Sequence, residues 1–334
     1  MTAEDSRSVI DAGGGDARVT IFGPDPLLSV TLESRGETDD IHLHAAGQGV
    51  WVARMAGELG AHPVLCCLSG GETGSTLEAL LARLPGERRT VATTGSSGSY
   101  VTDRRNGERR VLAIANRPPP CRHEVDDLVA VTTVAALSSG VLVLCNPFPP
   151  GDLPGEAFAT VAGNAAAAGI PLVVDLSSPR LESTLAARPA VVKLNDWELA
   201  EYVGGPVDGP RAPAAMHRLR DAGAQTVVLT RGGEPVLVLG GDDDAPYEIV
   251  PPRFTHGFRE GCGDAMTGAI AAGLTTGLPL PDALVLGVAA GAGNFLRHGL
   301  GSGRRAVVHE LCAQVTVRPA EATSPAPAPA RTAG

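Results

Sequence analysis

The sequence predicts an α/β protein: a mainly parallel sheet with helices on both faces and a small β lid over one end. Apolar runs of strand length recur along the chain, and Ala-rich segments with helical spacing fall between them. Two ribbons with polar alternation, 27–47 and 99–115, break that rhythm and supply the lid.

The strands are expected at 19–22 (VTIF), 63–68 (PVLCCL), 141–145 (VLVLC), 171–176 (PLVVDL), 190–194 (AVVKL) and 226–230 (TVVLT). Most are apolar at every position, as strands covered on both faces are. Helical spacing places helices at 48–60, 74–84, 155–169, 196–203, 212–222, 264–276 and 280–297. In the second ribbon Asn106-Gly107 stands between two β-like runs, a strong hairpin signal. Residues 1–16 are polar and Gly-rich, and 318–334 form a Pro/Ala tail; neither can bury enough apolar surface to order itself. One domain over 17–317 remains, with no internal repeat.

Composition narrows the function. The 334 residues suffice for a large core, but aromatics make up only 3%, too few for the stacking platforms of a single-strand nucleic-acid binder. A net charge of −10 repels nucleic acid and acidic membrane at long range. The six cysteines form no CxxC pair, and Cys66 and Cys67 sit inside an apolar run, so they read as reduced thiols of a cytoplasmic protein. The start resembles no signal peptide, and no run of about 18 apolar residues occurs.

The chemistry is concentrated in Gly261-Cys262-Gly263-Asp264, which opens a small-residue helix. A helix start points N–H groups at one spot beside a carboxylate, an arrangement that stabilises an anion while a proton is removed. Phosphoryl transfer to a hydroxyl needs both, with Asp264 as the base; an ordinary Asp cap is the competing reading. Asn195 and Glu198 share one face of a helix opening after a strand, where they suit Mg²⁺ held through water or, alternatively, a capping box. Thr230-Arg231-Gly232-Gly233 is either a nucleotide-phosphate loop or a strand-to-strand turn. Gly47-Gln48-Gly49 and Gly70-Gly71-Glu72-Thr73-Gly74 each lead into a helix.

In this order the parts resemble the PfkB (ribokinase-like) family of sugar kinases over roughly 18–315, most closely the branch of phosphofructokinase and tagatose-6-phosphate kinase. Residues 47–54 (GQGVWVAR) look like GGKGxNVAR, 70–74 (GGETG) like GGDTG, 193–199 (KLNDWEL) like KPNxxEL, and 261–266 (GCGDAM) like GSGDSM. The resemblance implies a Rossmann-like three-layer αβα sandwich with a β lid, using ATP and Mg²⁺ to phosphorylate a hydroxyl of a sugar or sugar phosphate. Asp264 becomes the general base, and Gly261, Cys262 and Gly263 the anion hole. Asn195 and Glu198 organise the Mg²⁺ and phosphate end, Thr230 and Gly232 match the start of the TxGxxG nucleotide loop, and Asn294 falls near the adenine pocket. The last glycine of that loop is Pro235 here.

On the sugar side, Gly47, Gln48 and Gly49 fall in the substrate motif, and Asp25 stands two positions before the family's sugar-gripping Asp. Gln48 replaces a lysine, Trp51 an asparagine, and Ser97-Gly98-Ser99-Tyr100 an arginine-bearing TRTN. These departures keep two alternatives open: a catalytically impaired nucleotide- or sugar-binding regulator, and a nucleoside kinase of the same fold. A nicotinamide enzyme needs GxGxxG after the first strand, where Gly23-Pro24-Asp25-Pro26 stands instead. His42 and His44 alternate toward one lid face over the substrate without a third metal ligand. Arg104 and Arg105 read as solvated hairpin charge, and Asp242, Asp243 and Asp244 as a solvated turn. Exposed lid edges suit a homodimer.

Overall fold

The computed structural model describes residues 17–147, 153–209, 211–241 and 245–320. The expected N-terminal segment 1–16, the Asp242 to Asp244 turn and the tail beyond 320 lie outside the described residues.

A ten-stranded sheet runs through the molecule in the order β14-β13-β12-β11-β10-β9-β8-β1-β4-β5. Its parallel part comprises β1 (Arg18–Phe22), β4 (His62–Ser69), β5 (Glu87–Ala92), β8 (Val141–Cys145), β9 (Leu172–Asp175), β10 (Val191–Asn195) and β11 (Thr226–Arg231). Antiparallel strands β12 (Glu234–Gly240), β13 (Tyr247–Val250) and β14 (Thr316–Pro319) extend one edge. Side-chain alternation divides each central strand between two cores. In β8, Val141, Val143 and Cys145 enter one, while Leu142 and Leu144 enter the other.

Helices α1 (Gln48–Glu58), α2 (Gly71–Leu81), α8 (Cys262–Thr275), α9 (Leu280–Phe295) and α10 (Arg305–Cys312) cover the first face. The second carries α3 (Arg122–Ala136), α4 (Gly155–Ala167), α5 (Arg180–Thr184), α6 (Asp196–Val203) and α7 (Arg211–Asp221). This is the three-layer αβα sandwich that the resemblance implied. Small residues set the spacing of its central helix: a Cβ on Gly268 of α8 would stand 2.5 Å from the Val52 carbonyl oxygen of α1.

The lid is a separate four-stranded sheet in the order β3-β2-β6-β7, from β2 (Leu27–Arg35), β3 (Thr38–Ala46), β6 (Ser99–Asp103) and β7 (Arg110–Ala115). Gly107, at φ +81°, turns the β6–β7 hairpin where Asn106-Gly107 predicts it.

The structure adds elements to the sequence expectation. β5 is a polar edge strand (ERRTVA), and α3 is rich in Val and Thr, so neither shows a clear apolar rhythm. The last strand, β14, includes Arg318 and Pro319, two positions inside the expected tail. Arg318 is fixed by its Nε and Nη2 donating to Glu248 Oε2 at 3.0 and 2.8 Å.

Candidate active site

Four strands end at one edge of the sheet. Asn146 follows β8, Asp175 ends β9, Asn195 ends β10, and Thr230 lies opposite Asn195 near the end of β11. Helix starts of α1 and α8 bring Gln48 and Asp264 to the same place. The carboxyl ends of parallel strands, where helix N-termini converge, are the usual ligand position of such sheets.

Gly261 caps α8 in the left-handed region at φ +78°. A Cβ there would stand 2.7 Å from the Gly301 backbone nitrogen, so conformation and space both demand glycine. The Ala265 N–H closes the first turn on the Gly261 carbonyl at 2.9 Å. The amides of Gly263 and Asp264 lie in that turn, ahead of the regular helix ladder, where N–H groups are available to an anion. Cys262 Sγ lies 3.4 Å from the Phe258 carbonyl and accepts from Asn294 Nδ2 at 3.4 Å; burial raises its thiol pKa, which keeps it protonated.

Asp264 is half-buried, and its carboxyl is pushed up to about 7. Burial is the main cause; Asp175 and Glu198 add to it, while Lys193 and a hydrogen bond from Gln48 oppose it. The Gln48 side chain also accepts from the Asn146 N–H through Oε1 at 2.6 Å, so it bridges the α8 carboxylate to the end of β8. Beneath the glycine turn, buried Lys193 donates to Asp175 Oδ2 at 2.8 Å, and Thr267 Oγ1 donates to the same oxygen at 2.6 Å. Burial draws the Lys193 pKa down, but Asp175, Glu198 and Asp264 more than offset it, leaving it above the ordinary value.

Asn195 and Glu198 form a capping box. Asn195 Oδ1 accepts from the Glu198 N–H at 2.9 Å, and Glu198 Oε2 accepts from the Asn195 N–H at 2.8 Å. The Glu198 pKa is raised by burial, opposed by Lys193 and reinforced by Asp175. Among the described residues no three His, Cys, Asp or Glu side chains form a direct metal cage. Three carboxylates influence one another around a single ammonium, however, and Glu198 Oε1 is not used by the box. That excess of negative charge suits a divalent cation held through water.

Other expected residues are placed differently. Asn294 is fully buried: Nδ2 donates to the Glu260 carbonyl at 2.9 Å, and Oδ1 accepts from the Ser302 N–H at 2.9 Å. It ties the glycine turn to the 299–303 loop, and both ends of its amide are used in doing so. Thr230 Oγ1 donates to the Leu194 carbonyl at 3.4 Å, and Gly232, at φ +64°, belongs to the β11–β12 hairpin turn. Asp25 is nearly buried and accepts from Arg117 Nε at 2.6 Å, which commits one carboxylate oxygen to an ion pair. Gly47 and Gly49 are required by close backbone approach, a Cβ on Gly49 falling 2.6 Å from Gly23 Cα.

Arg104 is a correction to the solvated reading. Its guanidinium turns inward over the Phe258 ring at 5.8 Å, whereas Arg105 does face solvent, paired with Asp103 and Asp39. Sequence reasoning also missed Asn146, Asp175, Arg117 and Thr267, and gave Lys193, the first residue of the KLNDWEL motif, no role of its own. A charge inside an otherwise apolar strand, as in LVVD or VVKL, was the available signal, because such groups are buried only with partners.

A carboxylate at a glycine-lined helix start, beside a β lid on a three-layer sandwich, is the architecture of a carbohydrate kinase. Residues 25–306 match the pfkB family carbohydrate kinase model, and the chain belongs to that family. It is 29% identical to ATP-dependent 6-phosphofructokinase isozyme 2 of Mycobacterium tuberculosis over 315 residues, covering 90% of this chain and 92% of that protein. With 1-phosphofructokinase of Rhodobacter capsulatus it shares 30% identity, over 74% of this chain and 78% of the relative. Crystal structures of Escherichia coli phosphofructokinase-2, one with potassium and one a tetrameric inhibited form, superpose at a TM-score of 0.76 with 23% identity, over 89% of this chain and 98% of theirs.

Proposed function

We propose that this carbohydrate kinase transfers the γ-phosphoryl group of ATP to a hydroxyl of a sugar or sugar phosphate, with Asp264 as general base. The observation that carries the reading is the raised Asp264 carboxyl at the start of α8, beside free first-turn amides and the Lys193–Asp175 pair. A base with a pKa near 7 can take a proton at neutral pH and hold it through the transition state. The acceptor hydroxyl loses its proton to Asp264 as its oxygen attacks phosphorus in line. The Gly263 and Asp264 N–H groups then offset charge on the transferred group. Lys193 holds the turn from below, and Gln48 orients the carboxylate.

Asn195 and Glu198 are the residues that would hold Mg²⁺ through its water shell, where it would neutralise phosphate charge. Thr230 and Gly232, beside Asn195, are proposed to border the nucleotide. Asp25, Gly47, Gln48 and Gly49 border the acceptor, Asp25 through its pair with Arg117. The lid excludes water as a competing acceptor. Its outer face leaves Ile41 63% and Leu43 48% exposed, which supports a homodimer through the lid. The free cysteines fit a cytoplasmic setting.

The test is ADP release from MgATP over a panel of fructose, fructose 6-phosphate, fructose 1-phosphate, tagatose 6-phosphate and nucleosides. Acceptor-dependent release is expected; its absence for every acceptor would favour the regulatory alternative.

A further inference from the structure

Two cavities meet under the lid. One, of about 310 Å³, is mainly apolar and is lined in part by Asn146 and by Gln48, whose side chain hydrogen-bonds Asp264. The other, of about 360 Å³, is lined by Arg54, Arg104, Arg109, His42, His44 and His298. They share Trp51, Tyr100, Arg109 and Leu300 as walls, so one ligand can extend through both.

The second cavity is cationic in a chain whose net charge is −10. Arg54 donates to the Leu300 and Ala45 carbonyls, Arg104 lies over Phe258, and Arg109 lies over the Tyr100 ring at 5.6 Å. Those contacts fix the guanidinium groups without neutralising them; among the described residues none of the three has a carboxylate partner within ion-pair distance. Glu33 is the one carboxylate among the lining residues, and it faces His42 at 3.8 Å. The His44 pKa is lowered by burial and then by Arg54 and His42, so the ring is a neutral hydrogen-bonding group in a positive field.

We infer that Arg54, Arg104 and Arg109 form a subsite for a phosphate dianion on the acceptor, whose sugar ring lies against Trp51 with its free hydroxyl toward Asp264. The position-48 lysine and the arginine of TRTN are absent here, and these three arginines supply the cations from other positions. Guanidinium groups bind phosphate oxygens by paired charged hydrogen bonds, and a desolvated lid strengthens them. The altered motifs thus redirect phosphate recognition rather than abolish it. This inference rests on the acceptor cavity proposed above, but its test does not require turnover.

Calorimetric titration of the nucleotide-free protein with fructose 6-phosphate, fructose and inorganic phosphate, compared with Arg104→Gln and Arg109→Gln, tests it. The wild type should bind fructose 6-phosphate at least roughly tenfold more tightly than fructose. Each variant should lose most of that advantage while fructose and ATP affinities stay unchanged, and Arg109→Lys should restore part of it. Equal affinity for the two sugars in wild type, or equal weakening of both in the variants, would overturn the subsite. Inorganic phosphate binding as tightly as the sugar phosphate would also overturn it, since the anion would then be free phosphate rather than part of the acceptor. Phosphate discrimination without ADP release from any acceptor would instead count against the kinase reading alone. Unchanged thermal midpoints in the variants separate lost recognition from lost folding.

Discussion

At the residue scale, Asp264 joins sequence to chemistry. Its position at a glycine helix start was legible in four consecutive residues, but its environment was not, because Asp175 and Lys193 come from strands far away in sequence. Its raised pKa has two consequences. With MgATP saturating, kcat/KM for the acceptor should rise with pH along a one-proton limb near pH 7, where the base ionises. Stability should move the other way: a carboxyl raised from 3.8 to about 7 contributes fully below the lower value and loses that contribution as pH rises through the upper. Asp264→Asn, which cannot ionise, should therefore be more stable than wild type at pH 8, by about 1–3 kcal/mol, with the advantage gone toward pH 4. Denaturant midpoints measured across that range, without Mg²⁺, check the sign.

At the element scale, what the sequence revealed depended on where each element lies. Buried strands such as β8, apolar throughout, and β10, apolar but for Lys193 and its terminal Asn195, could be read directly; edge strands β5 and β14 carry no such pattern and depend on a neighbour. Glu248 of β13 shows how one edge is held. Burial alone would raise its pKa, but hydrogen bonds from Arg231 and Arg318 outweigh it and leave the pKa lowered. Such a pair contributes stability above the ordinary carboxylate value near 4.5 and loses it as pH falls through the lower folded value. Glu248→Gln should thus cost about 1–3 kcal/mol at pH 7, a gap that closes in acid; urea midpoints at the two pH values measure it. The α8 cap makes a second case. Gly261→Ala forces a side chain into left-handed backbone and against Gly301, which should cost at least about 1–2 kcal/mol and depress turnover further by moving the turn.

For the whole molecule, the sheet brings residues from distant segments to one edge, and the lid covers that edge without belonging to the sheet. Strand and helix alternation announced the sandwich, and the two polar ribbons announced the lid. Alternation announced the shared inward face of His42 and His44, but not which side chains of the hairpin turn point inward. Arg104 and Arg105 are neighbours in sequence, yet one enters the cavity and the other pairs with Asp103 and Asp39 outside. Asn294 shows the opposite limit: its motif position was recognised, but burial turns its amide to holding a loop. On the outer lid face, Ile41 and Leu43 alternate with the inward His42 and His44. The double variant Ile41→Glu, Leu43→Glu should shift the sedimentation mass from dimer to monomer while leaving the far-ultraviolet dichroism unchanged. Monomeric wild type across the concentration range would remove the lid dimer.

The most direct measurement compares wild type and Asp264→Asn in ADP release with the best acceptor, alongside calorimetric ATP affinity. A kcat lower by roughly 10²–10⁴-fold with ATP affinity unchanged is the expected result. Full turnover in the variant would show that another group takes the proton and would contradict the account.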